Sequence, residues 1–145
     1  MEDRAAPCGH WEHFPHGADV GVRGVGASKE EAFEQAALGL TAVITDPITV
    51  ACGECIELSC DAVDDELLLV SWLNAVIYEM AVRRMLFGHF HVHIEKRALR
   101  AKAWGETMDP FKHELAIEVK GATCTEVAVK RNSNGNWIAQ CVLDV

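Results

Sequence analysis

Apolar residues recur along this chain with two different periods, and the order of those periods constrains the fold more than any other feature. Downstream of Ser28 and again downstream of Asp61 they fall every three or four residues, while most of the rest alternates every second residue. Two stripes of the first kind need something to pack against, and alternating segments supply sheet with one wet face. The expected class is therefore α+β, with two helices packed on a mixed, mainly antiparallel β-sheet.

The helix boundaries are marked by local chemistry. Ser28-Lys29-Glu30-Glu31 reads as a capping box, in which the serine oxygen accepts an amide three residues on and Glu31 reaches back. Ala32, Phe33, Ala36, Ala37, Leu40 and Val43 then form one stripe, stopped by Pro47. Asp61 or Asp64 caps the second helix, whose Leu67, Leu68, Val70, Leu73, Asn74, Ile77 and Met80 cover a wider face. Gly88 is expected to end it, with Arg83 and Arg84 complementing the carbonyl end of the dipole.

Strands are expected around Trp11 to Phe14, where Pro15 limits the length, and through Ile56, Leu58 and Cys60. Phe90-His-Val-His-Ile94 and the alternation from Leu99 to Trp104 read as antiparallel neighbours, closed by Gly105-Glu106 and the Asp109-Pro110 turn. Leu115-Ala-Ile-Glu-Val119, Val127-Ala-Val129 and the terminal Trp137 to Leu143 complete the set, with Asn132-Ser-Asn-Gly-Asn136 as a hairpin turn.

At 145 residues this is the size of one domain, 1–145, with residues 1–9 a polar leader. A net charge of −9, from 13 basic and 22 acidic residues, argues against direct, stable nucleic-acid binding, which usually needs a basic field. No apolar stretch approaches the roughly twenty residues of a membrane span, and the N-terminus lacks a signal-peptide core. A cytoplasmic location without membrane partners follows as an expectation, and the six cysteines are read as mostly reduced. Cys52-Gly-Glu-Cys55 has no second CxxC beside it and leads into strand-like residues, so a turn is the plainer reading.

One acidic residue resists that plain reading. Asp19 lies in His16-Gly-Ala-Asp-Val-Gly-Val-Arg-Gly24, a strand-like run in which Gly21 and Gly24 mark a bend or a close backbone approach. If the last strand lies beside this one, Asp19, Asp144 and the Val145 carboxylate gather at one sheet end. Three carboxylates there repel strongly unless neutralised. An all-oxygen set favours a hard divalent cation, with calcium ahead of magnesium or manganese where geometry is irregular. Lys112, His113 and Lys120 precede the last strands and are candidates for balancing charge or contacting a partner. His89, His91 and His93 alternate on one strand face and read first as its polar side. No Ser/His/Asp order, phosphate-cradling glycine loop or HExxH helix supports an independent enzyme.

Several of these stretches together resemble the archease family: Phe14-Pro-His16-Gly-Ala-Asp19-Val-Gly-Val, Glu31-Ala-Phe33, Leu68 to Trp72-Leu73, Gly105-Glu106, Glu118-Val-Lys120-Gly-Ala-Thr123 and Val142-Leu-Asp144-Val145. The resemblance covers nearly the whole chain and implies an archease-like two-layer sandwich. It also implies an accessory protein, not an enzyme, that activates an RtcB-type tRNA-splicing ligase by promoting its guanylylation and repeated turnover. In that family Asp19, Asp144 and the Val145 carboxylate match the metal pocket, and Lys120 matches a family lysine. Gly17 departs from the usual threonine, and Cys124 from an aromatic. Two other readings stay open: a small metal-dependent hydrolase or transferase acting alone, and a zinc or redox module on Cys52 and Cys55.

Overall fold

The computed structural model describes residues 9–145; the expected leader lies outside them except for Gly9. Its strands form two separate sheets, and every strand pairing is antiparallel. β1 (His10–His16) turns back through Gly17 and Ala18 into β2 (Asp19–Gly26). Pro15 sits inside β1 without penalty because β1 is an edge strand and one side of its backbone needs no ladder partner.

α1 (Lys29–Ile44) starts as its sequence requires. Ser28 Oγ accepts the Glu31 amide at 3.1 Å, and Glu31 reaches back to the Ala27 amide at 2.6 Å, one residue before the cap. After a short 3₁₀ turn comes β3 (Glu54–Asp61), then α2 (Asp65–Arg83), capped by Asp64, which accepts the Leu67 amide at 2.8 Å. α2 stops five residues before Gly88. Arg84 adopts a left-handed conformation (φ 56°), closes the helix, and lets β4 (Met85–Glu95) begin at once. Gly88 lies within β4 at a register irregularity, where an added Cβ would press on Pro47 and Val50.

β5 (Ala98–Thr107) is the middle strand of the sheet β3-β5-β4. The second sheet runs β1-β2-β8, where β8 (Trp137–Asp144) carries both β6 (Gly121–Ala122) and β7 (Ala128–Arg131) on its other edge. The Asn132 to Asn136 cluster makes the β7–β8 turn, with Gly135 at φ 83°. The expected strand at residues 115–119 is absent: the segment pairs with no strand, although Val119 is buried. Its alternation is real, but it lies past the end of the ladder that holds β6 to β8.

One core joins both sheets to both helices. The fully buried Trp72 of α2 donates its indole N–H to Phe33 O of α1 at 3.0 Å, and the buried Thr41 hydroxyl of α1 donates to Phe87 O of β4 at 2.8 Å. Each bond satisfies a polar group that burial would otherwise penalise. α1 rests against β2 at Gly24, where a Cβ would lie 2.1 Å from Ala32 O and 2.4 Å from Ala36 N. Both neighbours are backbone atoms that cannot rotate away. Gly24→Ala is therefore expected to destabilise the fold by about 1–3 kcal/mol, the usual cost of overpacking, read as a lower midpoint in thermal or denaturant unfolding.

Candidate functional site

The sheet β1-β2-β8-β6 has one acidic end. The two-residue turn between β1 and β2 has Gly17 at φ 59°, the sign needed at the first central position of a tight hairpin turn that matches strand twist. That turn delivers Asp19 as the first residue of β2. Val20 pairs with Leu143, so one step further the same register sets Asp19 beside Asp144. Asp19 Oδ1 also accepts the Val145 amide, at 3.3 Å and 126 residues away in sequence. On the far side of β8, Gly121 pairs with Asp144 and the Lys120 amide donates to Asp144 O at 2.8 Å. Asp19, Asp144, Val145 and Lys120 thus lie on adjacent strand ends. Asn74 of α2 supports this edge by bonding both backbone groups of Ala122, accepting its amide at 2.9 Å and donating to its carbonyl at 3.2 Å. An asparagine on an otherwise apolar helix face was the sequence signal for that contact.

Lys112 and His113 gather elsewhere, around Glu106 of β5. Glu106 takes Lys112 Nζ at 2.7–2.9 Å, the Ala51 amide at 2.8 Å and His113 Nε2 at 2.9 Å. His113 is buried, and its Nδ1 accepts the Asp109 amide at 2.9 Å, which leaves Nε2 to carry the proton given to Glu106. These contacts, Lys112 foremost, hold the Glu106 carboxyl down to about 2. The cluster ties the loop after the 3₁₀ turn to the loop after β5; the sequence marked Lys112 and His113 as candidates for balancing charge, and the charge they balance is that of Glu106, not that of Asp19 and Asp144.

The histidine stripe lies where its alternation placed it, on the outer face of β4. His89, against the Trp104 ring at 4.9 Å, is exposed, and His91 Nδ1 is 3.8 Å from a Glu34 oxygen. Glu34 caps the free edge of β4 by accepting the Val92 amide at 2.8 Å, and burial raises its pKa. Cys52 and Cys55 are exposed free thiols. Among the described residues, no three His, Cys, Asp or Glu side chains are grouped as a metal cage. The acidic end contributes two such side chains, Asp19 and Asp144. No described helix is long and apolar enough to cross a membrane.

Residues 11–145 match the model of the archease protein family (MTH1598/TM1083). The chain belongs to the archease family. It is 40% identical over 139 residues to the protein archease of Pyrococcus furiosus and 42% to that of Thermococcus gammatolerans, in each case covering 93% of this chain and 98% of the relative. The solution structure of Methanobacterium thermoautotrophicum protein 1598 superposes with a TM-score of 0.82 at 30% identity, over 93% of this chain and 98% of that one. A crystal structure from Thermotoga maritima, described as an archease and possible chaperone, shares the fold with a TM-score of 0.60 at 16% identity over the full length of both chains. Two helices on antiparallel sheets are thus the archease fold, as the sequence led one to expect.

The Glu106 cluster makes a prediction about acid stability. A carboxyl held at about 2 in the folded chain and near 4.5 when free stabilises the fold fully above the free value, and that contribution is lost as pH falls towards 2. Wild type is therefore expected to lose more stability than Glu106→Gln between pH 4.5 and 2, with a constant difference at neutral pH, measured as denaturant midpoints against pH.

Proposed function

We propose that this archease is an accessory protein that activates an RtcB-type tRNA-splicing RNA ligase, promoting its guanylylation and multiple turnover, through the acidic end of the β2–β8 pair. What carries the reading is the register that sets Asp19 beside Asp144 while Asp19 Oδ1 holds the Val145 amide. Two carboxylates on neighbouring strands, with the Val145 carboxylate next in line, suit a hard divalent cation bound by oxygen alone. Calcium fits that donor set best, with magnesium or manganese next. The cation would neutralise the cluster and present a charged tip to the ligase in the cytoplasm. In this reading Lys120, exposed and next to Asp144, contacts the partner, and Lys112 and His113 act through the Glu106 loop clasp; the Lys120–Asp144 backbone bond and the contacts on Glu106 support these assignments.

The chain itself supplies no catalytic group in this reading. An accessory protein shifts a partner's equilibrium only by binding one of its states more tightly, so the acidic tip must prefer the activated ligase. The description of the Thermotoga relative as a possible chaperone is in keeping with action by protein contact.

The test is ligated RNA per ligase molecule with this chain present in sub-stoichiometric amount, together with GTP and manganese. Wild type is expected to support many turnovers, and Asp19→Ala and Asp144→Ala to reduce stimulation at least about tenfold, the scale on which disturbed metal sites lose function. Calorimetric titration with calcium should show binding to wild type and none to Asp144→Ala. Full stimulation by both variants would refute the acidic end as the working site.

A further inference from the structure

Residues 115–119 read as a strand by alternation, yet neither they nor the flanking Glu114 and Lys120 are part of a strand. Two backbone bonds orient them: the Ala116 amide donates to Ile44 O and the Lys120 amide to Asp144 O, both at 2.8 Å. Both donors are even-numbered and both point into the protein. In an extended chain, successive residues direct their N–H and C=O to opposite sides. The backbone groups of Leu115, Ile117 and Val119 therefore face away from the body, and among the described residues no backbone bond reaches them. The segment is also exposed: Leu115 and Ile117 are each 42% accessible and border an apolar groove of about 430 Å³ lined by Ile77, Met80 and Ala81 of α2. An open edge with an apolar face is a template for another strand.

We infer that the strand it accepts is the same segment of a second copy, paired antiparallel about a two-fold axis at Ile117. The charges select this occupant and, among the registers centred on residues 116 to 118, this one. With Ile117 opposite Ile117, Glu114 faces Lys120 at both ends and Leu115 faces Val119 twice. The three residues whose backbone groups point outward all fall opposite one another, so both edges bond completely. Centring the pair on Ala116 sets Lys112 against Lys120 and Glu114 against Glu118; centring it on Glu118 sets that glutamate against itself. A shift by a single residue opposes outward-facing groups to inward-facing ones. The pairing adds one strand per copy and covers a small area, so the dimer is weak and concentration-dependent.

Sedimentation across a concentration series and covalent trapping test this together. Hydrogen-bonded antiparallel partners sit about 5.5 Å apart at Cα, within disulfide reach. Ile117→Cys should thus form an oxidised dimer well above the background that wild type, with exposed Cys52, Cys55 and Cys124, gives under the same oxidant. Adding Glu114→Lys sets lysine against Lys120 twice and should lower the trapped yield and weaken association about tenfold. Adding Lys120→Glu as well should restore both. A single monomeric species at every concentration, an Ile117→Cys dimer yield at background, or a yield indifferent to Glu114→Lys overturns the inference, even if the segment binds a strand of some other protein.

Discussion

The antiparallel pairing of β2 with β8 is the constraint on which the rest of this molecule depends. Seven residue pairs, from Val20 with Leu143 to Gly26 with Trp137, join the beginning of the described chain to its end. β2 then has one face fully committed to α1, whose backbone comes close enough at Gly24 that no side chain fits between them. α1 is held in turn by Trp72 from α2 and holds β4 through Thr41. A shift of β8 by one residue would turn its buried Ala139, Cys141 and Leu143 toward the opposite face and separate the carboxylates at the sheet end. Packing and the candidate site are therefore set by one register.

Acidic groups in this protein meet two opposite fates. Glu106 is surrounded by donors, a lysine, an imidazole and a backbone amide, and its charge is spent inside the fold, joining two loops. At the acidic end, among the described residues, the donor that reaches a carboxylate side chain is the Val145 amide, on Asp19. The first arrangement is what a structural carboxylate looks like. The second has one such donor among the described residues, and that contrast in donor supply is what sets the two acidic groups apart.

Much of this was legible in the residues because it is local. Both helix caps, Ser28 and Asp64, act as their sequences indicate, and the alternation of β3, β4 and β5 reports their faces correctly. The end of α2 was not legible, since Arg84 takes a left-handed conformation that its residue type does not announce, while Gly88 drew attention by being glycine. Residues 115–119 alternate as a strand does, but alternation describes which side chains share a face and says nothing about whether a neighbour exists. At the candidate site, the adjacency of Asp19 and Asp144 needed only the assumption that the last strand lies beside the one carrying Asp19. The role of Lys112 and His113 needed contacts among residues 51, 106, 109, 112 and 113, which no pattern along the chain encodes.

The central place of β8 has a consequence for biosynthesis. A ribosome delivers β1 and β2 first, and they must wait, as a hairpin that is marginal alone, until β8 has emerged. Through that interval one edge of β2 stays open, with α1 able to shelter only its inner face. Contacts that span 126 residues also make the last step of folding the slow one, because chain closure must precede any reward. A nascent chain still short of β8 carries Asp19 without Asp144, and the pairing of the two marks a molecule in which that strand has docked.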